Sequence, residues 1–516
     1  MSKAAIAAGH RETAQAAADI LADGGNAVDA VLAGLLTACV AEPILASIGG
    51  GGFLLVRPAE GKPVLYDFFA HTPKNKRPEA ETAIEQIQAD FGTTTQSFCM
   101  GMGTVATPGV ISGLYLAHED HGLAPMRLIS EPASRLARTG FPITEYQART
   151  SQIIAPIILA TPETRSYFGD PDDPTKILPV GGIFKAPKMA DAIESIAVEG
   201  PRLFYEGEIA ATIAEGSAAR GGNLTLQDLA DYRTERRDPL VTSFDGATLL
   251  TNPPPSAGGA LIAFGLSLIG AAKFDGLRFL GANHAALIAK AIALTDRARF
   301  ESGFSRNPVG AIEKLFDPAL LEQFRTQVMQ LTPTTRGTTH LSVVDSEGTA
   351  TCATISNGEG CGWIDPKLGF MLNNMLGEED VLPNGIGSWV PDTRLSSMMA
   401  PTIAETQDGV LTALGSGGSS RIRTAVLQAL VNRIGFGKPL DQAVEAPRLH
   451  VEGGRADIEP GFDGDCADAI EKLDLEPVIW DQQGMFFGGV HAAERAPNGG
   501  VIAAADPRRD GTSIIL

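Results

Sequence analysis

Residues 338–356 read TTHLSVVDSEGTATCATIS, and the turn at their centre decides how this part of the chain is built. Two strand-like runs, 339–345 and 349–356, flank the turn DSEG. They are rich in β-branched residues, which favour the pleated conformation. If the turn is the three residues Ser346, Glu347 and Gly348, Asp345 pairs with Thr349. Counting back, Thr338 then falls opposite Ser356. Cross-strand partners share one face of the sheet, about 5 Å apart at Cβ. A two-residue turn slips the register by one and puts Ile355 opposite Thr338 instead.

The stretch before this hairpin, 325–337, is polar and rich in Pro, Thr and Gly, so it is expected to be a flexible segment. A strand that starts with threonine after such a segment has one chemical use. A threonine hydroxyl is a weak nucleophile and needs a base. If the chain is cut just before it, its own freed α-amine serves. The pKa of such an amine is roughly 8, close enough to neutral to take the hydroxyl proton. The residue before the cut has to be small, as Gly337 is. The bland alternative is a strand start with no chemistry.

Such a threonine needs a folded scaffold and supporting groups from the rest of the chain. With 516 residues, 44% hydrophobic and 20% charged, a sizeable core is expected in two to four domains or one large layered domain. A net charge of −20 with no Lys/Arg cluster excludes a basic nucleic-acid-binding face and disfavours anionic membranes. The five cysteines are odd in number and lack C-x-x-C spacing, which argues against a disulfide framework or a structural zinc site. No run of about 18 apolar residues is present. The first thirty residues lack the pattern of a signal peptide, so a cytoplasmic protein is the expectation.

Residues 11–40 suggest two helices, the second nearly all apolar and stopping before Pro43. A glycine run at 49–52 feeds the strand FLLV, and VLYDFF is another strand. MRLISEPASRLARTG reads as a helix, and Thr225 with Asp228 forms a capping-box start. LLTNPPPSAGGALIAFGLSLIG reads as strand, rigid turn and helix. GSGGSS at 415–420 follows a strand and precedes a helix near Arg421, so backbone N–H groups would point at whatever sits at that helix start. The glycine run at 49–52 is not a P-loop, and no G-x-G-x-x-G or G-x-S-x-G elbow exists. His118 and His121 read as a solvated helix end. The acids Glu378, Glu379 and Asp380 read as a solvated loop or as a holder for a substrate ammonium group.

Taken together, DILADGGNAVDAVLAG…GGGGFLLV, NPPPSAGGALI, TTHLSVVDSEGTA, LNN, RLSSMMAPTI, GSGGSSRI and AADPRRDG resemble the ordered motifs of the γ-glutamyltransferase family of N-terminal-nucleophile hydrolases, over nearly the whole chain. The resemblance implies an α+β fold, a four-layer αββα sandwich. It implies a precursor that cuts itself between Gly337 and Thr338 into a large subunit, 1–337, and a small subunit, 338–516. The two would remain associated as a heterodimer, able to assemble further, with no cofactor or metal. It makes Thr338 the nucleophile, Ser356 its assisting hydroxyl and Asn357 a substrate-binding residue. Gly418 and Ser419 would supply oxyanion N–H groups, each donor of this kind being worth about 10²–10³ in rate. Ser396 and Ser397 would contact a glutamyl α-carboxylate. Asn374 would bind substrate, and Glu378, Glu379 and Asp380 compete to hold its amine.

Three departures bear on the substrate. The family's carboxylate-binding Arg lies in a DFRE-like strand, but here the strand reads YDFFAHTP and Phe69 stands in its place, removing a planar bidentate partner. Arg394 is a candidate replacement. The stretch ISNGEGCGW is one residue shorter than usual, leaving Ser356 and Asn357 open to a shift by one. Met375 replaces a residue that is polar in many members. The expected function is therefore cleavage of γ-glutamyl amides such as glutathione through an acyl–Thr338 ester, with transfer to water or an amine. The same machinery acting on another small acyl amide is the alternative. An uncleaved, non-catalytic binding protein is a second alternative.

Overall fold

The computed structural model describes residues 4–90, 95–270, 274, 276–326, 338–378, 381–382 and 385–516. Gly337, Glu379, Asp380 and most of the segment 325–337 lie outside the described residues.

The hairpin forms with the three-residue turn. Strand Thr339–Val344 pairs antiparallel with Ala350–Ser356, with Thr339 opposite Ile355 and Val344 opposite Ala350. The Asp345 N–H donates to the Thr349 carbonyl at 3.1 Å, and Asp345 Oδ1 accepts from the N–H groups of Glu347 and Thr349. The aspartate side chain thus closes the turn and fixes the register, which carries Thr338 opposite Ser356.

This hairpin is the centre of a seven-stranded antiparallel sheet. Its strands run in the order Thr512–Ile515, Ala5–Ala8, Thr339–Val344, Ala350–Ser356, Gly51–Arg57, Val64–Phe68 and Glu235–Arg237. A six-stranded sheet, Val501–Ala505, Gly489–Arg495, Leu411–Gly417, Thr402–Glu405, Ala247–Thr251 and Leu240–Phe244, stacks on it.

Alternation along the central strand shows how the layers are cemented. Leu341 and Val343 join the apolar cluster formed with helices Arg11–Ala22, Ala27–Ala41 and Met126–Thr139 on the outer side of the first sheet. Between the sheets, Phe53, Leu55, Phe69 and Cys352 pack with Ile403, Leu411 and Ala413. Beyond the second sheet, helices Gly258–Ile269, Ala282–Glu301 and Arg421–Leu430 form the fourth layer around Ile262, Ile288 and Val426. The result is the αββα sandwich. The helix Ala27–Ala41 is buried at every position, as a nearly all-apolar sequence requires.

The expected capping box at Thr225 and Asp228 is present. All five cysteines are buried free thiols. Among the described residues, no His/Cys/Asp/Glu group could hold a metal ion, and no helix is long and apolar enough to cross a membrane.

Candidate active site

Thr338 lies at the mouth of the hairpin, 3% exposed, and lines a cleft of about 30 Å³ between the two sheets. That is well below the volume of a preformed site for a drug-sized ligand. Of the other expected residues, Ser356, Ser397, Ser419, Glu378 and Phe69 line it too, with Met375, Val381, Met398, Met399 and Ile422 completing the wall.

The second sheet holds Thr338 from above. A Cβ on Gly417 would stand 2.0 Å from the Thr338 carbonyl oxygen, so only glycine permits this approach. Gly415 packs in the same manner on the His340 ring. That ring is buried between Thr354 Oγ1 (2.8 Å) and Ser342 Oγ (2.9 Å). Burial drives its pKa well below the ordinary value, with a further push from His491, so it is neutral.

The Gly-rich stretch is a strand end, Leu411–Gly417, followed by the helix Arg421–Leu430. Gly418 has φ +122° and Ser419 has φ +55°. Left-handed backbone at a non-glycine residue is strained and concentrates at functional sites. Ser419 and Ile422, on either side of the helix start, both face the cleft. The positive end of the helix dipole is therefore directed at it. Gly418 is not among the lining residues; a Cβ there would lie 3.0 Å from both Arg509 Nη2 and the Gly488 Cα.

Ser356 Oγ accepts the Gly358 N–H at 3.0 Å, which fixes the hydroxyl. Asn357, Asn374 and Ser396 are not among the residues lining the cleft. Asn357 is buried, and its N–H donates to the Leu45 carbonyl. Asn374 is a bracket behind the wall: its Nδ2 donates to the Cys99 carbonyl and to Glu359 Oε2, and its Oδ1 accepts the Glu359 N–H. Ser397 Oγ accepts the Met399 N–H at 3.1 Å, and its carbonyl ties the helix start at Ala257 and Gly258.

Phe69 is fully buried against Phe53, ring centroids 5.5 Å apart and nearly parallel. Arg394, the candidate carboxylate partner, is not among the residues lining the cleft. Its guanidinium donates to the Phe69 carbonyl, to Tyr232 Oη (2.6 Å) and to the Arg233 carbonyl (2.5 Å). Its Nε lies 3.7 Å from the buried carboxylate of Asp67. Asp67 is paired more closely with Arg237, Nε to Oδ2 at 2.8 Å, so Arg394 is held chiefly by Tyr232 and the two backbone carbonyls. The cleft wall carries one described carboxylate, Glu378, and no described cation.

One contact at Thr338 was not read from the sequence. Arg509 Nη1 donates to the Thr338 carbonyl at 3.2 Å. Arg509 ends a short turn whose preceding residues form a buried ionic knot: Arg448 and Arg508 with Asp506, and Arg508 with Glu459 at 2.5 Å. The available signal was the adjacent arginine pair in the closing AADPRRDG, a costly pattern unless each cation is paired when buried.

A sandwich of this kind, with a threonine heading a central strand and facing the inter-sheet cleft, defines the N-terminal-nucleophile hydrolase fold class. The family model described as gamma-glutamyltranspeptidase matches residues 13–516, and the chain belongs to that enzyme family. It is 31% identical to an acylase ACY 1 proenzyme of a Pseudomonas species (strain V22), covering 100% of this chain and 94% of that one. It is 30% identical to a glutathione hydrolase proenzyme of Pseudomonas aeruginosa, covering 99% and 94%. Among solved structures it is similar to cephalosporin acylase from Bacillus halodurans, with TM-score 0.86, 25% identity and coverage of 99% and 96%.

Proposed function

We propose that the protein is a self-processing amidohydrolase of acylase type, acting on small acyl amides whose acyl group has no free α-carboxylate. The observation that carries this reading is the cleft wall: Phe69 lines it, Arg394 is held by Tyr232 and backbone carbonyls, and no described side chain there is cationic. A γ-glutamyl group brings a carboxylate as well as an ammonium. An unpaired carboxylate in a largely apolar cleft costs several kcal/mol at least. Phe69, Met375, Met399 and Ile422 instead suit an apolar acyl body.

In this reading the Thr338 hydroxyl attacks the preceding carbonyl, the Gly337–Thr338 C–N bond breaks to free the α-amine, and water hydrolyses the resulting ester, releasing the Gly337 carboxylate and restoring the hydroxyl. In turnover that amine takes the Thr338 hydroxyl proton as the oxygen attacks the substrate carbonyl. The developing oxyanion sits against the N–H groups at Gly418 and Ser419, and Ser356 assists the nucleophile across the hairpin. The C–N bond breaks, the amine leaves with a proton, and water hydrolyses the Thr338 ester. The similarity to the acylase proenzyme and to cephalosporin acylase supports this choice.

γ-Glutamyl amide cleavage is the second reading. It is favoured by the presence of a carboxylate, Glu378, in the cleft wall, and by the similarity to the glutathione hydrolase proenzyme. A substrate panel on the processed protein separates the two. We expect a neutral acyl anilide to exceed γ-glutamyl anilide and glutathione by at least about tenfold in kcat/KM, since one unpaired charge is worth more than 1.4 kcal/mol. The reverse preference selects the second reading. A chain that stays intact at 54.0 kDa and turns over nothing would leave a binding role.

A further inference from the structure

The helix Ala27–Ala41 ends at Glu42, whose carboxyl group is buried directly behind the nucleophile strand. Its Oε2 accepts a hydrogen bond from Thr339 Oγ1 at 2.6 Å, and its Oε1 accepts one from Thr13 Oγ1 at 3.1 Å. Gly9 closes over this contact: a Cβ there would lie 2.7 Å from both Glu42 Oε2 and Thr339 Oγ1.

The peptide joining Thr338 to Thr339 is thus gripped on both sides. Arg509 and Gly417 hold its carbonyl from the second sheet. Glu42 holds the Thr339 side chain from the helix layer. Side chains alternate along a strand, so locking Thr339 toward the helices locks Thr338 toward the cleft. We propose that Glu42 is a positioning residue, acting through Thr339 to hold Thr338 in its attacking orientation during self-cleavage and turnover. This rests on Thr338 being the nucleophile.

The groups facing Glu42 are Arg509 and Asp510 from the C-terminal turn, Tyr146 from the helix Glu145–Ile153, and Cys39 from its own helix. Burial pushes the Glu42 carboxyl up to about 7; the threonine hydroxyls and Arg509 pull it down, and Asp510 pushes it up. Above that pH the carboxylate accepts both hydroxyls as charge-assisted bonds, the stronger kind. The grip on Thr339 therefore tightens as pH rises through neutrality. Self-cleavage precedes release of the α-amine, so its pH profile reads this effect without the amine's own titration.

The test follows self-cleavage by mass spectrometry after cell-free synthesis, from pH 5.5 to 8.5, in the wild type and in Glu42→Gln, Thr339→Val, Thr339→Ser and Thr338→Ala. Wild type is expected to quicken through about pH 7. Glu42→Gln and Thr339→Val should slow by tenfold or more at pH 8 and lose that rise, while Thr339→Ser restores it. In processed protein, Glu42→Gln should lower kcat with KM little changed. Should Thr339→Val fail to fold by its melting curve, the near-isosteric Glu42→Gln and the serine variant still decide. Wild-type rates and profile in Glu42→Gln, with Thr338→Ala uncut, overturn this inference alone. Cleavage in Thr338→Ala overturns it together with the nucleophile reading.

Discussion

The proposed preference for a neutral acyl group turns on Phe69. Its ring stacks on Phe53 and forms part of the wall facing Thr338, while its own carbonyl accepts from Tyr232 and Arg394. The residue therefore does two things at once: its ring is apolar toward the cleft, and its backbone carbonyl helps hold Arg394. Phe69→Arg should restore a carboxylate partner in the cleft without disturbing those backbone contacts. We expect it to raise kcat/KM for γ-glutamyl anilide at least about tenfold relative to a neutral acyl anilide, one charge-assisted pair being worth roughly 1.5–3 kcal/mol. An unchanged substrate ratio across the same panel would mean that the carboxylate is read elsewhere.

At the scale of elements, the strand end Leu411–Gly417 and the hairpin act as one unit, because Gly415 and Gly417 let the two sheets touch at His340 and Thr338. Gly417→Ala would set a methyl 2.0 Å from the Thr338 carbonyl and 3.1 Å from Arg509 Nη1. Overpacking of this kind costs about 1–3 kcal/mol. The variant should melt lower and self-cleave at least tenfold more slowly, which thermal melting and mass spectrometry would check. The hairpin was legible in the sequence because Asp345, Gly348 and two β-branched runs are local signals. So were the two N-terminal helices and the strand-to-helix turn at 415–420. The contacts that fix the site were not. Arg509 meets Thr338 from 171 residues away, and Thr339 meets Glu42 from 297 residues away; no spacing rule reaches that far. Arg394 shows the converse. Its charge made it a candidate carboxylate partner, and only the fold reveals that Tyr232 and the carbonyls of Phe69 and Arg233 already hold it.

At the scale of the whole molecule, buried titratable groups pull stability in opposite directions with pH. Burial lowers His10, His284 and His491 to about 4. Each is neutral in the fold, costs nothing above its unfolded value of 6.5, and destabilises as pH falls from 6.5 toward 4 because the unfolded chain takes up the proton first. Glu42 has the opposite sign. Its contribution is full below about 4.5 and is lost as pH rises toward about 7. Each proton is worth roughly 1.4 kcal/mol per pH unit, so acidification from 6.5 to 4.5 should lower the melting temperature, with Glu42 offsetting part of the fall. Glu42→Gln removes the offset, and its melting temperature should fall more steeply over that window than the wild type's. Parallel curves would show that the carboxyl titrates elsewhere.

The order of strands in the first sheet carries a last consequence. Ala5–Ala8 lies between Thr512–Ile515 and Thr339–Val344, and Gly51–Arg57 lies against Ala350–Ser356. A chain severed before Thr338 therefore yields two pieces whose strands are interleaved like the fingers of clasped hands. Neither piece owns a complete sheet, so neither can leave without dismantling the other. In a mixture of isotopically light and heavy protein, the halves would trade partners only as fast as the whole molecule unfolds. The product of the cut would behave, for the lifetime of the fold, as a single inheritance that cannot be divided.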